Sequence, residues 1–299
     1  MRVYFYSGER PSEGLVNLRN ALRDAGHNCL RLRARGSQFT ARRDRVIINW
    51  GCSDNEVHRL ADHGVSQVLN GVASIANAVN KRETFNRFLR EGIPCPPAFL
   101  TFEAAHQALL ATRCRIYART RLTGHSGDGI VMMLRQDDPA INQNMGNVPV
   151  VVFNADGVVT NGAGDHVRAL ANCNLFTLGR IGKRTEYRVH VFGGQVIHRS
   201  IKLRRNREDG QGERNPTLVR NVNNGWVYGN TDGVPAQVDE LAVRSVAALG
   251  LDFGAVDILY YDGAQPEALA LEVNTAPGLS PESSALHAYR DAIIRLIQQ

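Results

Sequence analysis

Two apolar runs near the C-terminal end of the sequence carry side chains that suit a metal ion. Residues 269–274 end in Glu272 and Asn274, and residues 254–260 contain Asp257. On a strand, residues two apart point to the same side, so Glu272 and Asn274 present two oxygen ligands to one place. Magnesium is usually held by a few protein oxygens together with phosphate oxygens. The two runs therefore predict neighbouring strands that bind a magnesium-associated nucleotide.

Length and composition are those of an ordinary globular protein. A chain of 299 residues can bury a full core and is long enough for two or three lobes. No apolar run approaches the roughly 20 residues that span a bilayer, and no secretion signal is visible, so we expect no membrane association. The five cysteines are scattered without C-x-x-C pairs. This pattern argues against a disulfide framework or a zinc site and favours a cytoplasmic location.

The basic residues are almost all arginine. Of the 35 lysines and arginines only three are lysines, at positions 81, 183 and 202, and the formal net charge is +6. The retained lysines are informative, because a compact ammonium and a planar guanidinium are not equivalent at a phosphate. The positive charge would suit a polyanion. However, no basic helix or aromatic-interleaved strip supports nucleic-acid binding, so that partner has only weak support.

The sequence pattern predicts alternating α and β elements from the first residues onward. A small α/β unit reaches to about residue 71, one helix covers residues 74–92, and a stiff Pro-rich segment follows at 92–97. Gly193 and Gly194 join two strands in a predicted hairpin. Residues 202–230 lack clear periodicity and are predicted to form a long loop.

A glycine-rich segment between two predicted strands could bind phosphate. Gly124, Ser126 and Gly127 lie within it, where bare backbone N–H groups and a hydroxyl can surround phosphate oxygens. The segment lacks the G-x-x-x-x-G-K-[ST] pattern, so it is not a Walker loop. Alone, it would be interpreted as a flexible hairpin.

Taken in order, these features resemble the ATP-grasp superfamily. The resemblance is strongest at residues 250–259 and 271–279, which look like the terminal motifs of ribosomal-protein glutamate ligases and D-alanine:D-alanine ligases. The N-terminal part is more similar to phage-encoded ATP-grasp proteins. The resemblance implies an α/β (α+β) ATP-grasp fold preceded by a Rossmann-like domain. The implied boundaries are 1–73 for the N-terminal domain and 74–299 for the ATP-grasp domain, with a nucleotide-covering lobe at about 113–178 and a metal-binding lobe at about 179–299.

The resemblance also assigns roles to individual residues. Asp257, Glu272 and Asn274 would hold Mg²⁺, or Mn²⁺, at the phosphates of ATP. The implied ATP-binding residues are Lys81, Arg119, Gly124, Ser126, Gly127, Leu178, Glu186, Arg188 and Lys202. Arg119 stands where the family has a lysine, and Arg121 is the alternative for that position. Arg188 and Lys202 would be catalytic, because cations there neutralise charge on the transferred phosphoryl group.

The reaction implied by the resemblance is ATP-dependent carboxylate–amine ligation through an acyl phosphate, releasing ADP and phosphate. The partners would be a small-molecule carboxylate and an amine acceptor such as an amino acid, peptide or protein. Within the arginine-rich stretch, Arg204, Arg214 and Arg220 are candidates for binding the carboxylate substrate. A phosphotransferase on the same fold and a phage-type enzyme that modifies nucleic acid or protein remain alternatives. A homo-oligomer is also left open.

Overall fold

The N-terminal part of the protein is a parallel sheet with helices packed on it. A computed structural model describes residues 1–123, 129–141, 148–157, 159–160, 164–205, 219–220 and 225–299. The strands are β1 (Arg2–Tyr6), β2 (Leu30–Leu32), β3 (Arg45–Asn49) and β4 (Gln67–Leu69), in the order β2-β1-β3-β4. Helix α1 (Glu13–Asp24) is capped by the Ser12 hydroxyl, which accepts from Leu15 N. A short helix, α2 (Glu56–Leu60), follows β3.

Two helices, and not the single predicted helix, connect this sheet to the rest of the chain. They are α3 (Val72–Val79) and α4 (Lys81–Arg90). Asn80 separates them with an extended backbone, and its side-chain oxygen accepts from the backbone N–H groups of Arg82 and Glu83. An asparagine side chain that caps a new helix competes with continuation of the old one, which explains why the prediction was wrong. Lys81 is therefore the first residue of α4.

The middle of the chain forms a second sheet of six strands. Its elements are β5 (Ala98–Phe99), α5 (Phe102–Ala111), β6 (Cys114–Arg119), β7 (Ile130–Arg135), β8 (Val150–Phe153), β9 (Val159–Thr160), α6 (Gly164–Ala171) and β10 (Phe176–Arg180). The strand order is β5-β10-β6-β7-β8-β9, so β10 returns to pair with β6. Helix α5 covers one face through Ala105 and Leu109, which pack with Ile116 and Phe176 in one hydrophobic cluster.

The C-terminal part is an antiparallel sheet of five strands. Its elements are β11 (Thr185–Phe192), β12 (Gln195–Arg204), β13 (Trp226–Asn230), α7 (Ala236–Ala248), β14 (Phe253–Tyr261), β15 (Glu267–Asn274) and α8 (Ser284–Gln298). The order is β13-β12-β11-β14-β15. The predicted Gly193-Gly194 hairpin is confirmed, with both glycines at positive φ. The prediction of a loop over 202–230 was wrong at both ends, because β12 continues to Arg204 and 226–230 form β13.

The two faces of this C-terminal sheet are covered differently. Helix α7 covers one face, where Val189, Val256 and Leu241 belong to one buried cluster. On the other face, the aromatic ring of Tyr289 from α8 contacts Phe253 and Trp50. This contact joins the C-terminal sheet to the N-terminal unit. The remainder of this second face is open toward the middle sheet.

The turn that follows β15 is held by the N-terminal unit. A Cβ atom at Gly14 on α1 would lie 2.9 Å from Pro277 O, so only glycine allows this close approach. Asn17 Nδ2 donates to Leu279 O at 2.8 Å. The position of the last strand end is thus fixed by residues more than 260 positions away in sequence. In the part of the chain that the structure describes, no helix has the length and apolar character needed to cross a bilayer.

Candidate active site

A cavity of about 680 Å³ lies between the middle sheet and the open face of the C-terminal sheet. It collects most of the residues that the sequence singled out. The predicted site residues that line it are Lys81, Arg119, Leu178, Glu186, Arg188, Lys202, Arg220, Asp257, Glu272 and Asn274. Arg204 does not line it; its side chain is exposed and lies against Trp226. Gly124, Ser126, Gly127 and Arg214 are outside the described residues.

A row of side chains crosses all five strands of the C-terminal sheet, and its members from β11, β14 and β15 line the cavity. Directly paired positions place Asn230, Ser200, Arg188, Asp257 and Glu272 side by side, one from each strand. Cross-strand partners present their side chains to the same face of a sheet. Two carboxylates from β14 and β15 are therefore neighbours, with a cation from β11 beside them.

A β-bulge in the last strand sets the direction of one carboxylate. Asp257 pairs with Glu272, whereas the next residue of β14, Ile258, pairs with Ala270, so Leu271 is an extra residue on β15. A bulge bends its strand locally and changes the direction of nearby side chains. Here Leu271, Glu272 and Asn274 all line the cavity.

Arg188 and Asp257 form a bidentate ion pair in the wall of the cavity. Arg188 Nε donates to Asp257 Oδ1 at 2.6 Å and Nη2 to Oδ2 at 2.7 Å. Burial lowers the pKa of Arg188, but the Asp257 carboxylate outweighs this effect and raises the pKa above its ordinary value. The two groups therefore neutralise each other in the wall of the cavity.

Lys81 and Glu272 form a second ion pair between α4 and β15. Lys81 Nζ donates to Glu272 Oε2 at 2.6 Å. The Lys81 ammonium is the main cause that holds the pKa of Glu272 well below its usual range, against the opposing effect of burial. The amide Nδ2 of Asn274 lies 3.5 Å from Glu272 Oε1. The acid and the amide that the sequence placed on one side of a strand are thus adjacent in the cavity.

Arg119 is a half-buried cation that lacks a complete set of partners among the described residues. Its Nε atom is buried and makes no hydrogen bond to any residue that the structure describes. Burial lowers the pKa of Arg119, and Glu272 opposes this only in part. A buried guanidinium N–H without an acceptor is costly, so its position at the cavity wall favours an anionic ligand. Arg121, the alternative candidate, also lines the cavity but has an exposed side chain.

A second cluster of charges surrounds Glu186. Lys202 Nζ lies 3.0 Å from Glu186 Oε2, and Arg184 and Arg220 lie 3.4 and 3.6 Å from Oε1. Lys202 also donates to Arg220 O at 2.7 Å. Glu186 is therefore already engaged by three cations. The expected contact with ribose hydroxyls would have to share this carboxylate with them.

Strands β6 and β10 form another part of the cavity wall. Thr177, Leu178 and Gly179 line it beside Tyr117. A Cβ atom at Gly179 would lie 2.4 Å from the Tyr117 ring, so glycine is needed to let that ring lie against β10. Leu178 N donates to Pro97 O at 2.9 Å. A base bound to this segment would consequently have to use backbone groups other than the Leu178 N–H.

Several cavity residues were missed in the sequence. Tyr228 and Trp226 lie on β13, which the pattern had assigned to a loop. The alternation in Trp-Val-Tyr-Gly-Asn was the available signal, because it has the period of two expected of a strand. Tyr117 and Arg184 are further cavity residues with no comparable signal.

The donor set suits magnesium that arrives with phosphate. Among the described residues, no group of three His, Cys, Asp or Glu side chains could hold a metal ion. Asp257, Glu272 and the amide of Asn274 supply the oxygens on this side of the cavity. Magnesium is held by one or two carboxylates plus substrate phosphates, unlike metals in closed protein cages. The residues present therefore fit Mg²⁺ bound together with a nucleotide.

Comparison with known proteins identifies the fold. No family model and no curated protein matches the chain. Solved structures do match it, among them the ATP-grasp ligase PsnB complexed with a minimal precursor, at 15% identity over 99% of both chains and a TM-score of 0.64. D-alanyl-alanine synthetase A from Vibrio cholerae matches at 14% identity over 100% of this chain and 97% of that one, with a TM-score of 0.61. The macrocyclase MdnC from Microcystis aeruginosa, bound with its precursor peptide MdnA, matches at 13% identity over 99% and 100%, with a TM-score of 0.57.

These similarities identify the fold of the chain. The chain has the ATP-grasp fold over nearly its whole length, which confirms the fold that the resemblance implied. At identities of 13–15% the match concerns the fold alone. Activity and substrates have to be argued from the cavity.

Proposed function

We propose that the protein is an ATP-dependent carboxylate–amine ligase. The observation that carries the proposal is the meeting, in one cavity of an ATP-grasp fold, of two adjacent carboxylates with three buried or half-buried cations. Asp257 and Glu272 are paired across β14 and β15, and Arg188, Lys81 and Arg119 lie around them. This arrangement suits a polyphosphate with its metal, because anion and cation ligands are held side by side.

In the proposed complex, the two ion pairs exchange partners. The Lys81 ammonium and the Arg188 guanidinium leave their carboxylates to bind phosphate oxygens, and Asp257, Glu272 and Asn274 become free to hold Mg²⁺. Bound magnesium would screen the phosphate charge. Arg119 would gain the acceptor that its buried Nε lacks. The net charge of the wall changes little in this exchange, so no carboxylate or cation is left buried alone.

The proposed reaction has two steps. A carboxylate oxygen of the first substrate attacks the γ-phosphorus of ATP, and the bond from that phosphorus to the β-phosphate oxygen breaks. The products of this step are ADP and an acyl phosphate. An amine nitrogen then attacks the acyl carbon, inorganic phosphate leaves, and the nitrogen loses a proton to give an amide. Arg188 and Lys202 would neutralise charge on the transferred group. The role of the protein is mainly positioning and charge neutralisation.

The acceptor is proposed to be an amino acid or a peptide. The solved structures of similar fold include a D-alanyl-alanine synthetase and two proteins complexed with precursor peptides. An amino acid and a peptide can each supply the amine that attacks an acyl phosphate.

The proposal is tested by trapping the acyl phosphate. The purified protein is incubated with MgATP, a panel of amino acids and acidic peptides, and hydroxylamine, which converts an acyl phosphate into a hydroxamate detectable as its ferric complex. We expect ADP release and hydroxamate with at least one carboxylate. Glu272→Gln should abolish both signals.

The matched control changes an ion pair on the other face of the same sheet. Arg199 and Asp239 are paired through Nη2 at 2.6 Å, away from the cavity, so Asp239→Asn should leave hydroxamate formation unchanged. ADP release without hydroxamate, accompanied by a stable phosphorylated product, would identify a phosphotransferase. Failure to release ADP with any member of the panel would reject the ligase proposal for these substrate classes.

A further inference from the structure

Tyr228 lines the cavity beside Arg188, Lys202 and Asp257, and the proposed function gives it no role. Its ring centroid is 4.2 Å from Arg188 Cζ and 5.3 Å from Lys202 Nζ. Its hydroxyl is 3.4 Å from Asp257 Oδ2, and the side chain lines the cavity. One aromatic residue on an edge strand thus contacts both proposed catalytic cations and one proposed metal ligand.

The strand register explains how one ring reaches all three groups. Tyr228 on β13 is the direct partner of Lys202 on β12. Arg188 lies one strand further, directly opposite Ser200. Because Ser200 is small and buried, it leaves room for the ring to extend diagonally across β12 toward Arg188. A larger residue at position 200 would occupy this space.

The contacts suit a residue that fixes the direction of two cations. Arg188 and Lys202 repel each other, and an aromatic face attracts both. A guanidinium stacked on a ring has its N–H groups pointing outward at its edge, where they can bind a planar or tetrahedral anion. The Tyr228 hydroxyl lies 3.4 Å from Asp257 Oδ2 and can donate to that carboxylate.

We infer that Tyr228 is a positioning residue for the polyphosphate end of the site. Its ring holds Arg188 and Lys202 with their N–H groups directed at the terminal phosphates, and its hydroxyl retains Asp257 when Arg188 turns from that carboxylate to a phosphate. The inference rests on the proposed binding of ATP in this cavity. Beyond the proposed function, the inference predicts that the Tyr228 side chain affects recognition of the terminal phosphates and does not affect recognition of the base.

The test compares nucleotides that differ only in their phosphates. Dissociation constants of MgATP and AMP are measured by calorimetry for the wild type, Tyr228→Leu and Tyr228→Phe. We expect Tyr228→Leu to weaken MgATP about tenfold, because a desolvated cation–π contact is lost, while AMP changes less than about twofold. Tyr228→Phe keeps the ring and should restore most of the affinity for MgATP, to within about threefold of the wild type.

A matched variant removes a tyrosine from the opposite face of the same sheet. Tyr260 packs against the Tyr187 ring at the α7 side, with ring centroids 6.3 Å apart. Tyr260→Leu should lower the melting temperature without changing the ratio of the ATP and AMP constants. Equal weakening of ATP and AMP by Tyr228→Leu, or no weakening of ATP, would overturn the inference. A wild-type protein that binds neither nucleotide would instead reject the proposed function, and the inference with it.

Discussion

Two arginine–aspartate pairs in this protein have nearly the same geometry but different surroundings. Arg115 and Asp138, in the middle sheet, are joined by two hydrogen bonds of 2.9 Å, and Asp138 also accepts from Ala140 N at 2.8 Å. Arg188 and Asp257, in the C-terminal sheet, are joined by bonds of 2.6 and 2.7 Å. The first pair is almost fully buried, with 8% and 2% of the side chains exposed, and only the second pair lines the central cavity.

The difference shows that the same ion pair can be a fixed structural contact or an exchangeable one. Asp138 accepts from Arg115 through both of its oxygens and from Ala140 N, and neither member of the pair lines the central cavity. Asp257 faces a cavity of about 680 Å³, where water or a ligand can take over either partner. Geometry of the pair alone does not separate these cases. Access of the pair to the cavity does.

The largest expected difference between the two pairs is in stability. Asp138→Asn leaves Arg115 buried without its counter-ion, and we expect the free energy of unfolding to fall by about 3–5 kcal/mol. Asp257→Asn should cost clearly less, because Arg188 remains in contact with the cavity and can be solvated there. Urea unfolding of both variants measures the difference. Equal losses of stability would show that the Arg188–Asp257 pair is as inaccessible to water as the Arg115–Asp138 pair.

The second expected effect concerns His190, which lies on β11 where α8 covers the sheet. His190 follows Arg188 by two residues on β11, is buried beneath Tyr289, and has no partner among the described residues for Nδ1. Burial, followed by Arg188 and His198, lowers the pKa of His190 well below 6.5. The unfolded chain binds a proton there below about pH 6.5, whereas the folded chain does not, so stability falls as the pH falls.

Because of this histidine, we expect the free energy of unfolding to fall by about 2 kcal/mol as the pH is lowered from 7.5 to 5. Urea unfolding at a series of pH values measures the slope. His190→Gln should flatten the slope, and His287→Gln, which changes an exposed histidine on α8, should not. An unchanged slope in His190→Gln would show that this group does not remain neutral.

The third effect tests whether the acids of the cavity compete with phosphate for its cations. Glu272→Gln should improve the binding of ATP in the presence of EDTA, because Lys81 is released, and should reduce the benefit of added Mg²⁺. We expect the ratio of the dissociation constants without and with Mg²⁺ to fall about tenfold. Calorimetry under both conditions provides the measurement.

Glu267→Gln on the same strand is the control for this experiment. Glu267 pairs with Arg180, is partly exposed and does not line the cavity. We expect it to leave the ratio unchanged. If Glu272→Gln weakened ATP equally with and without Mg²⁺, the proposed exchange of partners would be refuted.

The smallest effect is expected for a change that keeps the charge. Arg119→Lys should alter the dissociation constant of MgATP less than about threefold, because an ammonium can serve the same phosphate. Arg119→Met should weaken it about tenfold, and Arg121→Met should have little effect, since of these two arginines Arg119 is the one with a buried N–H that has no acceptor among the described residues. The reverse order for the two methionine variants would assign the family position to Arg121.

Local pattern was sufficient for much of the fold and for part of the site. The acidic strands, the glycine hairpin and most helices were predicted from spacing, and Glu272, Asn274 and Asp257 do meet in one cavity. The errors fell where non-local contacts override local preference. Asn80 breaks a helix by capping the next one, and β13 becomes a strand because β12 offers it an edge.

The sequence by itself determined which residue types stand on which strands, because side-chain alternation depends only on the backbone of each strand. Only the tertiary structure decided which charges become partners. Arg188 meets Asp257 across 69 positions of sequence, and Lys81 meets Glu272 across 191. Such pairings depend on strand register, on the bulge at Leu271 and on the docking of α4, all of which arise from packing between distant segments. The two acids were visible in the sequence, but the cations that neutralise them were fixed by the fold.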